Sequence, residues 1–543
     1  MQRSFQLALL SALLLLAAWL RITGLTWGLS SGYGHDQNFQ PDEFVSLRGV
    51  LQLDLRAGHI VAPGAYFEGT FNYYLWAVPE AFLNISGAKD AHLSDLINTK
   101  NLSTLLYVCR WMSILFDLCT IVIVFLAIKE ATQQFYPSLL GAVCYAVLPI
   151  QVIYAHFMRT HILSNLLCAL VIWLSLKLCK SQPWQLLLLV GLISGLGAAT
   201  RYPAGIIVVI PCLYSLLGGG SNMPTSKIRF SRRARKFVAS QVWLVGLGFG
   251  IGLFLGHPML FLDPSSVTEA ITGETLKYAT LHEFSGSQLI NLSALWRYVM
   301  YVIPFAMYPL LWLVPYCAIL YLLFRRNLYS LSAPILIFSF LYLYFMGKGY
   351  FAPYFARITM FLFPGFCVLV GIAGYDLQLI LRKKWPMAVA LTGALLLIFV
   401  PSIFFDIAYG RAMQQKDARQ TLREDLKEFI GEAPATIGIL RLPTYFYTVM
   451  PAARLLNGEK VTVRVQDAGQ NADFLLVGFP TEIDPAEISA TVRDVEAQGK
   501  FKYAKTYRVP VRIFRHEFNL GQFPQDMTYP FPTVLLFRAR TAT

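Results

Sequence analysis

The sequence predicts a polytopic α-helical membrane protein of about eleven transmembrane helices, followed by a small C-terminal α/β extramembrane domain. Three observations carry that expectation. Of the 543 residues, 56% are hydrophobic and only 14% are charged, against about 25% charged in ordinary soluble chains. Apolar runs of membrane-spanning length recur from Phe5 to Ala408 and then stop. Residues 409–543 return to a soluble composition. The mean hydropathy of +0.52 excludes an ordinary cytosolic enzyme, and the composition is neither collagen-like nor that of a disordered chain.

The first span is expected at 5–22, with Arg3 on the inner side and no small-residue cleavage site after it, so it reads as an uncleaved signal anchor. Residues 24–104 then lie outside, and the aromatic stretch Phe71 to Phe82 within them suits an interfacial helix better than a crossing. Spans follow at 105–128, 137–155, 162–179, 185–200 and 203–217, with Lys129, Lys177 and Lys180 inside. The basic run Lys227 to Lys236 is the strongest cytoplasmic anchor. Further spans at 238–255, 301–324, 331–346, 358–380 and 387–408 leave 256–297 as a second outer loop and put Arg325, Arg326 and Arg382 to Lys384 inside. Pro304 and Pro309 are expected to kink the 301–324 span. An odd number of crossings puts the tail outside. The resulting division is a transmembrane domain, 1–408, and an extracytoplasmic α/β domain, 409–543. In the latter, a helix is expected from Asp417 to Ile430 and strands at Thr436 to Leu440, Val461 to Val465, Asp473 to Val477 and Val534 to Phe537.

Two global features narrow the function classes. The net charge of +14 is concentrated in a few loops between spans, which is the pattern of lipid-facing anchors and not of a nucleic-acid surface. All 8 Cys fall inside hydrophobic spans, so neither a disulfide framework nor a CxxC metal site is expected. With no internal repeat, the inverted symmetry of many transporters has no support either.

The chemistry is expected in the first outer loop, where Pro41-Asp42-Glu43 places adjacent carboxylates just beyond the first span. Pro41 holds Gln40 extended and starts a helix. Acidic residues there either stabilise the helix start or supply a general base that takes a proton from an acceptor hydroxyl.

An Asp-Glu pair in this loop, about eleven spans and an outer tail resemble the glycosyltransferase C superfamily, and within it the protein O-mannosyltransferase and aminoarabinose transferase branch. Local correspondences are Pro41-Asp42-Glu43, Arg110-Trp-Met-Ser113, Pro149 to His161, Gly195 to Pro203, and Arg357 ahead of Phe361 to Pro364. The resemblance implies transfer of a sugar from a polyprenyl-phosphate carrier to a protein, lipid or glycan hydroxyl on the outer or lumenal face, usually with inversion. It implies Asp42 and Glu43 as catalytic groups. It also implies cations at the outer boundary that hold the donor phosphate: Arg201, Arg357, Lys348 and Arg159, with Arg110 at the start of the second span. Membrane-edge snorkelling is the alternative reading of each. Two departures stand out: the second outer loop reads Arg159-Thr160-His161-Ile162 without an Asp, so that role is either unfilled or moved to His156 or His161, and Tyr66 to Tyr73 lacks prolines.

The expected partners are membrane lipid, the lipid-linked donor and an unknown acceptor, with no nucleic acid. No cofactor is expected. His35, Asp36, His156, His161, His257 and His282 lack the spacing of a metal site, and a divalent metal remains the alternative. The sequons at Asn84, Asn101 and Asn291 matter only in a eukaryotic host. A transporter or lipid flippase without transferase activity is the competing function.

Overall fold

The computed structural model describes residues 2–29, 40–53, 60, 66–83, 100–217, 232–281, 292–347, 355–381, 384–440, 460–466, 471–479 and 485–540. Its helices are α1 (Gln2–Ile22), α2 (Pro41–Leu51), α3 (Phe71–Leu83), α4 (Lys100–Thr132), α5 (Phe135–Ala146), α6 (Pro149–Ala155), α7 (Thr160–Leu178), α8 (Trp184–Thr200), α9 (Val209–Leu217) and α10 (Arg232–Gly256). They continue with α11 (Pro264–Leu281), α12 (Leu313–Phe324), α13 (Tyr329–Met346), α14 (Phe363–Leu381), α15 (Trp385–Met413), α16 (Ala418–Ile430) and α17 (Pro485–Ala497). Among the described residues six helical stretches are long and apolar enough to cross a membrane, and a seventh if α5 and α6, bent by 59°, form one span. The chain is thus a helical membrane protein with at least six apolar spans. The other apolar helical stretches, including α8, α12 and Gln241–Gly256 of α10, are shorter than 18 residues.

Where the expected spans break, the cause is local. The 137–155 run is interrupted before Pro149, which cannot continue a helix but fits its first turn. The expected single span at 301–324 is a π-helical turn at Tyr298–Val302, a short helix Ile303–Ala306, turns through 307–312, and then α12. Pro304 and Pro309 each lack the N–H that an unbroken ladder requires. The 203–217 run opens as a 3-10 helix, Tyr202–Val208.

The chain divides into two compact units, one comprising Met1–Ile22, Asp42–Asp90 and Val108–Asp406, the other Thr23–Pro41, Ala91–Tyr107 and Ile407–Thr543. In the first, α8 and α10 approach backbone to backbone through glycines. A Cβ at Gly191 would lie 2.2 Å from Val245 O, at Gly195 2.1 Å from Phe249 O, and at Gly252 2.0 Å from Leu192 O. Small residues permit this close packing where lipid supplies no hydrophobic drive between helices. The pairing fixes the C-terminal end of α8, and therefore Arg201 just beyond it.

The second unit contains a five-stranded sheet of order β2-β1-β3-β7-β4, built from β1 (Ala435–Leu440), β2 (Val461–Gln466), β3 (Phe474–Phe479), β4 (Phe501–Tyr507) and β7 (Thr533–Ala539). The small pair β5 (Arg512–Ile513) and β6 (His516–Glu517) stands apart from it. β1 runs parallel to β2 and β3, while β7 is antiparallel to β3 and β4. Central β3 is buried throughout, because Leu422 and Leu426 of α16 pack with Phe474 and Leu476 on one face and Val495 of α17 with Leu475 and Val477 on the other. That is how a strand covered on both sides reads as continuous apolar sequence. Asp417 caps α16, accepting from Arg419 N–H at 2.8 Å.

Candidate active site

Pro41 opens α2, and Asp42 and Glu43 occupy its first turn, where carboxylates favour the positive end of the helix dipole. Their surroundings then diverge. Glu43 has no exposed side-chain surface and takes two hydrogen bonds from Arg110 of α4, Nε to Oε1 at 2.9 Å and Nη2 to Oε2 at 2.6 Å. The Met158 N–H donates to Oε1 at 2.8 Å. Arg110 is equally buried. This bidentate pair ties α2 to α4 and to the 157–159 turn, where Phe157 O also accepts from Ser113 Oγ at 3.0 Å. Arg110, expected beside the donor, offers no open surface in this state.

Asp42 keeps 22% of its side chain exposed and pairs with Arg357. Arg357 sits in the buried 3-10 helix Ala356–Leu362, its guanidinium 3.9 Å above the Phe355 ring. The main-chain carbonyl of Asp42 accepts from Arg159 Nη1 at 2.8 Å, and the same nitrogen reaches Ser46 Oγ at 3.1 Å. Arg159 therefore holds the Asp42 backbone, and Arg357 holds its carboxylate.

The remaining member of the cluster is Glu68, which the sequence reasoning missed. Its Oε1 accepts from Arg159 Nη2 at 2.6 Å and from Arg201 Nη1 at 2.6 Å, and its Oε2 accepts from Tyr73 OH at 3.0 Å. Burial alone would push this carboxyl up, but Arg159 and Arg201 outweigh it and hold it at about 2. Since the group is depressed, its stabilising contribution is present above the ordinary glutamate range and is lost only as pH falls through about 2. Glu68 is thus a permanent anion at neutral pH.

Gly69 explains how Glu68 arrives there. It has φ +105°, a conformation glycine adopts without strain, and a Cβ on it would lie 2.4 Å from Ala199 O. The 66–70 turn thus seats directly on the end of α8. A second set of contacts pins its other side: Thr70 Oγ lies 2.8 Å from Gly256 O and 2.9 Å from His257 Nδ1, while Tyr202 OH lies 2.9 Å from His257 Nε2 and 2.5 Å from Tyr66 O. Burial lowers His257 to about 4, so it is neutral in the working range.

Arg201 leaves 20% of its side chain open, more than the buried Arg159 and Arg357. The two histidines considered for the missing Asp differ. His156 contacts Val152 O through Nδ1 at 2.7 Å, within its own helical turn. His161 is buried, stacked on Phe361 at 6.2 Å, with neither ring nitrogen hydrogen-bonded among the described residues. Lys348, His35, Asp36 and His282 lie outside the described residues. Among the described residues no three His, Cys, Asp or Glu side chains gather as a metal site.

No curated protein matches the chain. Among solved structures it is similar to ArnT from Cupriavidus metallidurans bound to undecaprenyl phosphate, at 12% identity and TM-score 0.47, over 98% of this chain and 97% of that one. It is also similar to the Archaeoglobus fulgidus oligosaccharyltransferase tethered with an acceptor peptide, at 12% identity and TM-score 0.46, over 92% of this chain and 69% of that one. Residues 102–231 match the model of the dolichyl-phosphate-mannose-protein mannosyltransferase family. The chain's resemblance to the glycosyltransferase C superfamily, first carried by its motifs, thus extends to this mannosyltransferase family over 102–231.

Proposed function

We propose that this chain is a membrane glycosyltransferase that moves a sugar from a polyprenyl-phosphate carrier to an acceptor hydroxyl on the outer face, by a single inverting displacement. One observation carries the reading: a partly exposed carboxylate, Asp42, stands within a cluster of the arginines Arg357, Arg159 and Arg201. Such a cluster supplies what the reaction needs, a proton acceptor beside the attacking hydroxyl and cations where negative charge grows on the leaving phosphate. In this reading Asp42 is the base. Glu43, locked on Arg110, orients α2 and so the base. Arg201 and Arg357 hold the phosphate by charge-assisted bonds. Arg159 is already committed to Asp42 O and Glu68 Oε1, so it positions both and reaches the donor only secondarily. No metal has a step in this scheme.

The test is transfer of labelled sugar from polyprenyl phosphate in liposomes containing the purified full chain, with release of polyprenyl phosphate expected alongside. Arg201→Ala and Arg357→Ala should each raise the donor concentration needed for half-maximal rate, the loss being about 1.5–3 kcal/mol for one charge-assisted contact. Unchanged donor dependence in both variants would reduce these arginines to snorkelling cations.

With the bent α5–α6 pair as one span, α8, residues 202–217, the apolar part of α10 and the broken 301–324 stretch taken as one crossing bring the total to eleven in this reading, with the 227–236 loop cytoplasmic and 409–543 extracytoplasmic. On an active variant without native Cys, an impermeant thiol reagent applied outside should label Ser489→Cys and spare Ser231→Cys. The opposite pattern would move Asp42 to the inner face.

A transporter or flippase reading draws on a different observation. Arg21 and Asp117 form a fully buried pair at 2.5 Å inside α1 and α4, and Asp406, within reach of the Arg21 charge, has neither carboxyl oxygen hydrogen-bonded among the described residues. Ionisable groups within a membrane often mark a transport path. Lipid translocation by the liposomes without any sugar transfer would favour it.

A further inference from the structure

We propose that Glu68 is the fixed counter-charge that matches this site to a lipid monophosphate and against a lipid diphosphate, a specificity-determining positioning residue that acts through Arg159 and Arg201. The inference rests on the sugar-transfer reading above.

Among the described residues the cluster holds three guanidinium groups, Arg159, Arg201 and Arg357, against two carboxylates, Asp42 and Glu68, a net charge of one positive unit. The neighbouring Glu43–Arg110 pair is balanced within itself, and His161 carries no negative charge in either protonation state. Glu68 is nearly sealed, and both its oxygens are occupied. It is therefore unsuited to accept the acceptor's proton, and its charge is the property it contributes.

That charge fits both ends of the reaction. The acceptor oxygen forms a bond to the anomeric carbon, and the bond from that carbon to the bridging phosphate oxygen breaks. The electron pair stays on the phosphate, and the acceptor's proton passes to Asp42. Before transfer, a phosphodiester with one negative charge faces the one net positive charge of the described cluster. Afterwards, the released monoester carries roughly two negative charges, and protonation of Asp42 has left the site with two positive ones. Charge stays matched at each stage, which matters because Glu68, Arg159 and Arg357 are largely withdrawn from solvent, where uncompensated charge is costly. Without the Glu68 charge the site would carry one excess positive unit throughout. It would then hold the monoester product too tightly and favour diphosphates.

The experiment measures equilibrium binding of farnesyl phosphate and farnesyl diphosphate to the full chain in detergent, together with donor turnover. The wild-type protein should prefer the monophosphate. Glu68→Gln should shift the ratio of the two dissociation constants by about tenfold or more toward the diphosphate, the scale of one charge-assisted contact. Glu68→Asp, which keeps the charge, should stay near the wild-type ratio. Arg201→Gln alone removes a cation and should move the ratio the other way, and Glu68→Gln with Arg201→Gln should restore it. The last two variants decide the matter if Glu68→Gln does not fold. A ratio that stays fixed across the series, with both affinities falling together, would make Glu68 a packing residue and sink the inference while turnover of the monophosphate donor upholds the reading beneath it. A wild-type chain that binds neither probe and turns over no donor would overturn both.

Discussion

Asp42→Asn is expected to lower sugar transfer by roughly 10² to 10⁴ without weakening donor binding, because the lost carboxylate charge leaves Arg357 more available to the phosphate. The substitution keeps the size of the side chain and an oxygen that can accept from Arg357, so the pairing seen in the structure survives in weaker form. What disappears is the proton acceptor. If Asp42 served only to stabilise the first turn of α2, the cost would be about 0.3–1 kcal/mol, the size of a charge–dipole interaction there, with no loss of the chemical step. Rate and stability therefore separate the two readings on one protein. The assay follows labelled sugar leaving polyprenyl phosphate, with lipid-phosphate binding measured on the same preparation. Near wild-type turnover in Asp42→Asn would remove Asp42 from the chemistry, and an active Asp42→Asn/Glu43→Gln double variant would end the catalytic reading of the whole motif.

The parts of this site that could be read in sequence are those set by local rules. Pro41 followed by two acids marks a helix start, and α2 begins at Pro41. Arg159 and Arg201 flank apolar runs, and each sits next to a helix end, Arg159 before α7 and Arg201 after α8. Glu68 obeys no such rule. Its partners lie 91 and 133 residues away, and the seating of the 66–70 turn on the end of α8, with Gly69 against Ala199, brings them together. A buried arginine pair does demand an anion, so the need for a carboxylate could be inferred, but not which one. Arg110 shows the converse. Its place at the second span was legible, whereas its withdrawal into a closed pair with Glu43 depends on how α2 docks against α4.

The same contrast runs through the fold. The apolar strands β1, β2, β3 and β7 fall where runs of β-branched and aliphatic residues were expected. The strand β4 escaped because it is an edge strand, Phe501–Tyr507, buried only at its two ends. Its interior, Lys502 to Thr506, gives no alternation to detect. The helix α17 escaped for a similar reason, burying only Val495. Apolar pattern also overstates helix continuity, because a run such as 301–324 stays hydrophobic through proline breaks that end its hydrogen-bond ladder.

Glu43→Gln should destabilise the folded chain by about 3–5 kcal/mol, the cost of leaving Arg110 as a buried charge without a counter-ion. Both side chains are wholly enclosed, and their two bonds at 2.6 and 2.9 Å are joined by the Met158 N–H at 2.8 Å. Gln still offers one acceptor, so the loss is chiefly that of charge and not of shape. Replacing both partners with apolar side chains of similar volume, Glu43→Leu with Arg110→Met, removes the stranded cation and should recover most of the stability. It should not recover all, since the Met158 N–H then lacks its acceptor, at a cost of about 1–3 kcal/mol. Thermal unfolding of the detergent-solubilised protein reads these differences, and sugar transfer below the melting range reads function separately. If Glu43 pins α2, the double variant regains transfer as it regains stability, because Asp42 is again held in place. A Glu43→Gln chain as stable as wild type but inert in transfer would assign Glu43 to the chemical step and return the base to doubt.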